Sequence, residues 1–165
     1  MKILKILAIL FLFTASIHAQ ESLSQLLKKF NTESVPYMYV DTLQNSKDTI
    51  ILLDAREEKE YKVSHLKNAI LVGYDTFKIE TTTKELPDKN AKIIVYCSLG
   101  IRSEDVAEKL IGKGYTNVYN LYGGIFEWKN KGNKVYGTKE IESNKVHTFN
   151  KEWSKWLKKG EKVYE

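Results

Sequence analysis

The stretch of sequence that decides the fold runs from Ile93 to Ser103 and reads IIVYCSLGIRS. Its first four residues, IIVY, form an unbroken apolar run, which is typical of a strand buried on both faces of a sheet. Cys97 follows the run directly, and Gly100 allows a backbone conformation with positive φ in a tight loop. A helix is predicted to begin near Ser103, so the stretch is expected to be a strand, a loop that holds the cysteine, and a helix.

Further apolar runs predict the rest of the sheet. Runs at residues 50–53, 69–72 and 118–121 resemble the run before the cysteine, and 37–40 reads as a shorter strand. Residues 103–113 place their apolar side chains at helical spacing, with charged residues on the other side. Strands that alternate with short helices predict an α/β fold, with a central parallel β-sheet flanked by helices on both faces.

Helical patterns are also present at the two ends of the chain. Leu23, Leu26, Leu27 and Phe30 share one helical face, and they predict a helical segment at residues 20–34. At the other end, the spacing of the residues Trp153, Trp156 and Leu157 predicts a helical extension at residues 138–165. We expect this extension to dock on the domain, and the alternative is membrane-surface binding through Trp and Lys.

The first residues have the plan of a secretory signal peptide. Lys2 and Lys5 form a basic start, residues 6–13 are apolar, and small or polar residues lead to Ala19. The apolar run is much shorter than the ~20 residues of a membrane-spanning helix. We therefore expect a signal peptide at residues 1–19 and no membrane span after its removal. The protein is then exported, to the periplasm of a Gram-negative bacterium or otherwise outside the cell.

Composition limits the remaining function classes. The 165 residues are 42% hydrophobic, which suits one globular domain and excludes a disordered chain. The single cysteine excludes an internal disulfide and a cysteine-rich zinc site, and we expect no metal and no cofactor. Without Lys2 and Lys5 the formal charge falls from +5 to +3, which gives no reason to expect a nucleic-acid partner.

The position of Cys97 favours a reactive thiol. Ligands of a parallel sheet lie beyond the carboxyl ends of its strands, and a helix N-terminus favours an anion. The positive end of the helix dipole and the charge of Arg102 should lower the pKa of the Cys97 thiol and keep it as thiolate. The alternative is a structural cysteine, since free cysteines are often buried. The order of strand, Cys97, Gly100, Arg102 and helix favours the reactive thiol.

Four motifs follow one another along residues 35–137. They are Leu53-Asp54-Ala55-Arg56, Ser64-His65-Leu66-Lys67-Asn68-Ala69-Ile70, the loop Cys97-Ser98-Leu99-Gly100-Ile101-Arg102-Ser103, and Leu121-Tyr122-Gly123-Gly124-Ile125-Phe126-Glu127-Trp128. In this order they resemble the rhodanese, or sulfurtransferase, domain, of the single-domain exported bacterial type. Ser64 departs from the pattern, because a glycine usually precedes the histidine.

The resemblance implies a rhodanese-like fold and an enzyme that transfers sulfane sulfur. Cys97 would attack thiosulfate or a persulfide or polysulfide donor, become a persulfide, and pass the sulfur to a thiol or to cyanide. Cys97 and Arg102 are the implied catalytic residues, and Arg102 would orient the loop or the bound anion. The loop would bind the substrate through its N–H groups, and the residues concerned are Ser98, Leu99, Gly100, Ile101 and Ser103. The partners are then a small sulfur-donor anion and a thiol acceptor.

Three further motif residues are expected to support the site. Asp54 and Arg56 should form buried ion pairs near it, with Glu60 as a further partner. His65 should hold a turn by hydrogen bonds, since a preformed thiolate needs no base. The loop between Cys97 and Arg102 has no ionic side chain, so thiosulfate is expected to be a poorer donor than persulfides.

Other functions of similar sequences remain as alternatives. Phosphatases and arsenate reductases with this fold have five residues between cysteine and arginine, whereas four separate Cys97 from Arg102. A binding module without catalysis typically lacks the cysteine. A persulfide carrier that acts on protein thiols would differ only in its partner.

Export can be tested directly on protein from its native host. N-terminal sequencing should give a chain that begins near Gln20, because cleavage is expected after Ala19. A cytoplasmic protein that still begins with Met1 would contradict this expectation.

Overall fold

A fully parallel sheet forms the centre of the computed structural model, which describes residues 22–164. The signal peptide expected at residues 1–19 lies outside this range. The strands of the sheet are β1 (Tyr37–Met38), β2 (Ile50–Asp54), β3 (Ile70–Leu71), β4 (Lys92–Tyr96) and β5 (Val118–Leu121). Their order across the sheet is β1-β5-β4-β2-β3, so the cysteine follows the central strand. The expected α/β class is confirmed.

Helices cover both faces of this sheet. Those in the described residues are α1 (Leu23–Phe30), α2 (Val40–Asn45), α3 (Glu58–Val63), α4 (Ile79–Lys84), α5 (Arg102–Gly112) and α6 (Gly124–Asn130). One apolar cluster contains side chains of α1, α2 and α6, and a second contains side chains of α5. The helices predicted around residues 23–30 and 103–113 are both confirmed.

The apolar run of β4 contributes side chains to both apolar clusters. Ile94 and Tyr96 belong to the first cluster, whereas Ile93 and Val95 belong to the second. All four side chains are fully buried, and burial of each stabilises the fold by roughly 1.5–3 kcal/mol. This is why the run Ile93–Tyr96 is apolar on both faces, and its burial anchors the start of the cysteine loop.

The register of the strands brings their carboxyl ends together. Asp54 of β2 is opposite Tyr96 of β4, and Val95 of β4 is opposite Asn120 of β5. Cys97 therefore emerges between the ends of two neighbouring strands, where a parallel sheet offers its binding crevice.

The C-terminal segment does not form the helix expected over residues 138–165. The described part of residues 138–165 contains two 3-10 turns and the short strands β7 (Glu142–Ser143), β8 (Lys145–His147) and β9 (Glu161–Val163), and β6 (Val135–Tyr136) comes just before it. The pairs are β6 with β7, antiparallel, and β8 with β9, parallel. Trp153–Trp156 makes one 3-10 turn only.

Contacts of the flanking residues with other elements restrict the helix to this turn. β8 pairs with β9, and Asn130 Oδ1 accepts hydrogen bonds from the N–H groups of Lys158 and Lys159 at 2.6 and 3.2 Å. These bonds use backbone groups that a continuous helix would satisfy internally. Within residues 22–164, no helix is long and apolar enough to cross a membrane.

The first turn of α6 docks on the backbone that follows β4. The N–H of Ile125 donates to the Cys97 carbonyl at 2.9 Å, and the N–H of Phe126 donates to the Ser98 carbonyl at 3.2 Å. Gly124 makes this approach possible, because it has a φ of +53° and a Cβ there would lie 2.7 Å from the Ser98 carbonyl carbon. The Gly-Gly motif is thus a support of the cysteine loop.

Replacing Gly124 with alanine should destabilise the protein. Steric overlap with the loop backbone and the positive φ should together lower the free energy of unfolding by at least ~2 kcal/mol. Gly112→Ala is the matched control, since a Cβ at Gly112 meets nothing within 4 Å. Urea unfolding measures both variants, and equal stabilities would contradict this account of α6.

Candidate active site

Cys97 lies at the bottom of a tight loop that folds back over its sulfur atom. The side chain is 2% exposed, and Sγ accepts a hydrogen bond from the Gly100 N–H at 3.1 Å. Gly100 has a φ of +104°, a conformation that side chains other than hydrogen rarely allow. The predicted nest for a negatively charged sulfur is therefore present in the backbone.

Two asparagines hold the cysteine loop by hydrogen bonds to its backbone. Asn120 Nδ2 and Asn31 Nδ2 each donate to the Gly100 carbonyl at 2.8 Å. Asn120 Oδ1 lies 2.7 Å from Ser103 Oγ, which is also 3.5 Å from Cys97 Sγ. Ser103 has one hydroxyl proton, so it can donate to only one of these acceptors at a time.

Asn120 was not among the predicted site residues. The signal in the sequence is a polar residue within the predicted strand at 118–121. The structure shows that this residue, Asn120 of β5, is fully buried. Buried amides need hydrogen-bond partners, so a polar residue at such a position indicates a specific contact. In this structure Asn120 contacts the cysteine loop, through the Gly100 carbonyl.

Arg102 is held by a carboxylate from another element. Its Nη1 and Nη2 donate to Glu60 Oε2 and Oε1 at 2.7 and 2.8 Å, and Nη2 also lies 3.1 Å from Ser98 Oγ. Glu60 belongs to α3 and its side chain is fully buried. Of the two roles expected for Arg102, orienting the loop is therefore the one that the contacts support.

The charges of this pair shift two pKa values. Burial acts to raise the pKa of Glu60, but the hydrogen bonds and charge of Arg102 outweigh burial and lower it to about 2. Burial also acts to raise the pKa of the Cys97 thiol. The charge of Arg102 and the hydrogen bonds from Ser103 and Gly100 outweigh it, so the pKa of Cys97 is lower than usual. Both shifts favour the ionised forms at neutral pH.

Asp54 and Arg56 form the expected buried ion pair beside the site. Arg56 Nε and Nη2 donate to the two oxygens of Asp54 at 2.9 and 2.6 Å, and Nη2 also donates to the Ser64 carbonyl at 2.7 Å. Both side chains are fully buried. The direct ion-pair partner of Glu60 is Arg102, while Arg56 acts on Glu60 through its charge and helps to lower the pKa of that carboxyl. The pair braces the end of β2 rather than the sulfur.

His65 holds a turn, as expected. Its Nδ1 lies 3.0 Å from the Tyr61 carbonyl, and its Nε2 lies 3.0 Å from Glu140 Oε1. Its backbone exchanges hydrogen bonds with Tyr136. These contacts join α3 to β6 and give the histidine no part in proton transfer at Cys97.

A pocket of about 220 Å³ opens beside the sulfur. Its lining residues are Cys97, Ser98, Leu99, Ile101, Arg102, Phe149 and Trp153. The predicted loop residues Leu99 and Ile101 are thus in the wall, whereas the sequence did not predict that Phe149 and Trp153 would be there. No motif joins these two aromatics to the loop, because they lie far along the chain and reach it only through the folding of the C-terminal segment.

The described residues offer no metal site. Between residues 22 and 164, no three His, Cys, Asp or Glu side chains come together in the way that a metal ion requires.

Comparison with known proteins identifies the central domain. The family model described as the rhodanese-like domain matches residues 38–131, which is more than half of the chain. A structure of the BH2092 protein from Bacillus halodurans superimposes with a TM-score of 0.56 and 26% identity, covering 70% of this chain and 86% of that one. A thiosulfate sulfurtransferase from Pseudomonas aeruginosa gives a TM-score of 0.57 over 74% of this chain and 23% of that one, and at 20% identity it supports the fold alone.

Curated relatives match the same region within longer proteins. The chain is 41% identical over 98 residues to the adenylyltransferase and sulfurtransferase UBA4 of Candida albicans, covering 56% of this chain and 22% of that protein. It is 40% identical over 86 residues to the tRNA uridine(34) hydroxylase of Hamiltonella defensa, covering 47% and 23%. The chain thus spans less than a quarter of either relative's length.

The pH dependence of Cys97 alkylation tests the electrostatics of the site. Iodoacetamide should react with a midpoint below the ordinary ~8.5 of cysteine, and there is no other thiol to interfere. Arg102→Ala should raise the midpoint by about 1 pH unit or more, because removing a cation disfavours the thiolate.

Two further variants control this measurement. Arg102→Lys keeps the charge and should raise the midpoint less, while Lys113→Ala removes an exposed cation from the far end of α5 and should leave it unchanged. Circular dichroism verifies that each variant is folded. A wild-type midpoint at or above ~8.5 would contradict the lowered pKa.

Proposed function

Since the chain belongs to the rhodanese-like domain family, we propose that it is a sulfurtransferase that moves sulfane sulfur through a persulfide on Cys97. The observation that carries the proposal is the cradle around Cys97 Sγ, in which the Gly100 N–H donates a hydrogen bond to the sulfur at 3.1 Å beside the positive charge of Arg102. A thiolate held in this way is a preformed nucleophile with no general base required.

The reaction has two steps. In the first, the Cys97 thiolate attacks the outer sulfur of the donor, a new S–S bond forms, and the bond between that sulfur and the donor breaks. The donor leaves with the bonding electron pair, for example as sulfite from thiosulfate. In the second step, the thiolate of an acceptor, or cyanide, takes the outer sulfur and Cys97 leaves as thiolate. No net oxidation or reduction of the protein occurs.

The cradle stabilises the charge in both states. Before the first step the negative charge is on Cys97 Sγ, and after it the charge lies on the terminal sulfur of the persulfide. The loop backbone is already oriented by α6 and by Asn120, so little reorganisation is needed as the charge moves. Donors are thiosulfate, persulfides or polysulfides, and the acceptor is a thiol or cyanide.

The names of the relatives support sulfur chemistry only in part. The Candida albicans protein is named as a sulfurtransferase, whereas the Hamiltonella defensa protein is named for hydroxylation of tRNA uridine. The region shared with the second protein therefore supports the domain and not the reaction.

The arrangement of Arg102 argues against a phosphatase or an arsenate reductase. Such a reaction needs an arginine whose charge serves the oxyanion, but the charge of Arg102 is already balanced by the carboxylate of Glu60, which both of its terminal nitrogens contact. The fully buried carboxylate would also repel a dianion. Activity on an aryl phosphate with no sulfur transfer would reverse this assignment.

We also propose that the protein works outside the cytoplasm. The support is the signal-peptide pattern of residues 1–19, which precedes the described structure. An exported domain would meet donors and acceptors in the periplasm.

Mass spectrometry of the intact protein tests the sulfur-carrying role. After incubation with a sulfane donor and removal of the excess, the wild type should gain one sulfur atom that dithiothreitol removes. Cys97→Ser should gain none and should lose sulfur transfer while remaining folded, since serine has a similar size but is a far weaker nucleophile.

The donors in this experiment should include thiosulfate, a polysulfide and an organic thiosulfonate. Transfer activity retained in Cys97→Ser, or no added sulfur on the wild type with any donor, would contradict the proposal.

A further inference from the structure

We propose that the pocket beside Cys97 binds an apolar organic group on the sulfur donor, and that Phe149 and Trp153 are specificity-determining residues for that group. The inference rests on the proposed sulfur transfer and names its class of substrate. The donors it favours have the form R–S–S⁻ or R–SO₂–S⁻, in which R is an uncharged hydrocarbon group.

The pocket is lined mainly by apolar side chains. Leu99 and Ile101 of the loop form one side, and Phe149 and Trp153 of the C-terminal segment form the other. Its volume of about 220 Å³ is below the ~300–1,000 Å³ of sites for drug-sized ligands, so it suits a small group. Burial of such a group against aromatic rings is favourable, at ~25 cal/mol per Å² of apolar surface.

The charge balance of the pocket disfavours a compact dianion. Arg102 is the only cationic residue in the lining, and its terminal nitrogens are bound to the Glu60 carboxylate. A thiosulfate dianion would leave water for a wall whose one cation is already balanced by a carboxylate, which costs free energy. A donor with a single charge loses less hydration there, and its organic group can lie against the apolar side chains.

The aromatic wall is a fixed part of the fold. The guanidinium of Arg102 lies 5.6 Å from the centre of the Phe149 ring, and the Trp153 ring packs edge-on against Phe30 at 6.1 Å. The neighbouring Thr148 N–H donates to the Val163 carbonyl at 2.9 Å, next to the pairing of β8 with β9. The ring of Phe149 thus contacts Arg102, and the backbone next to it is held by the strand pairing.

The backbone of Phe149 adds a second sign that its position is specified. Its φ is +64°, which is costly for a residue with a bulky side chain, and its N–H donates to His147 Nδ1 at 3.1 Å. The residue is 48% exposed, so burial in the core does not account for the conformation. Phe149 is the central residue of a tight turn in which the Asn150 N–H donates to the Thr148 carbonyl at 2.7 Å, and the residue lines the pocket. Both aromatics lie outside the residues 38–131 that match the family model.

The proposed first step is balanced for both donor types. With R–SO₂–S⁻, the Cys97 thiolate attacks the terminal sulfur, the bond between that sulfur and the sulfonyl sulfur breaks, and R–SO₂⁻ leaves with the electron pair. With R–S–S⁻ and one proton, the products are the Cys97 persulfide anion and R–SH. Two negative charges are present before and after the first reaction.

Two thiosulfonate anions test the inference because they differ only in the organic group. Methanethiosulfonate and benzenethiosulfonate have the same reacting group and the same single charge. The purified protein should use benzenethiosulfonate with a kcat/KM at least about tenfold higher than that for methanethiosulfonate, as expected for burial of a larger apolar group. Thiosulfate should be the poorest donor of the three.

Variants of the wall show whether the pocket causes this preference. Phe149→Ala and Trp153→Ala should each reduce the ratio of the two kcat/KM values by roughly fivefold or more, mainly by a higher KM for the benzene compound. Ile141→Ala is the matched control, because it removes an exposed apolar side chain of the same segment that does not line the pocket. It should leave the ratio unchanged.

The outcomes separate this inference from the proposed function. The specificity role is wrong if sulfur is transferred but the ratio of the two kcat/KM values is near one, or if this ratio is the same in all variants. The proposed sulfurtransferase activity would stand in either case. A preference for thiosulfate also overturns the role. If no donor loads Cys97, the proposed function itself fails. Because the ratio is internal to each variant, a partial loss of folded protein does not change it.

Discussion

The buried ion pair between Glu60 and Arg102 is the interaction on which the site depends. Both carboxylate oxygens are fully used, since Oε2 accepts from Arg102 and from the Glu57 N–H, and Oε1 accepts from Arg102 and from the Ser98 hydroxyl. A buried pair is tolerated only when its remaining hydrogen-bonding capacity is satisfied in this way. The pair ties α3 to the cysteine loop, and it holds a positive charge close to Cys97 Sγ at the wall of the pocket, where the Arg102 side chain is 19% exposed.

Three parts of the chain contribute to the site, each in a different way. The loop backbone and Arg102 stabilise the sulfur anion, while the N-terminus of α6 holds the loop in place through Gly124. The C-terminal segment then closes an apolar pocket over the sulfur with Phe149 and Trp153. Charge is therefore concentrated at one atom, and the space around it favours hydrocarbon. This combination fits the transfer of sulfur from an organic donor better than the binding of a free oxyanion.

The sequence predicts the parts of this structure that depend on local patterns. The apolar runs predict the parallel strands because both faces of such a sheet are buried, and the motif around Cys97 predicts the loop. The ion pair of Glu60 with Arg102 was not predicted, since an ion pair between elements depends on their packing and not on spacing in the chain. The helix expected at the C-terminus was wrong because the residues on either side of Trp153–Trp156 pair as strands β8 and β9, which leaves one 3-10 turn between them. Their contribution to the pocket depends on tertiary contacts such as the one with Phe30.

The central claim is that sulfur passes through Cys97 during turnover. The most direct test is a single-turnover experiment with protein whose Cys97 has been loaded with labelled sulfur and separated from the donor. When it is mixed with an acceptor thiol, the label should leave at a rate at least equal to kcat, as required of an intermediate on the reaction path. Label that stays on the protein, or that leaves more slowly than steady-state turnover, would contradict the claim.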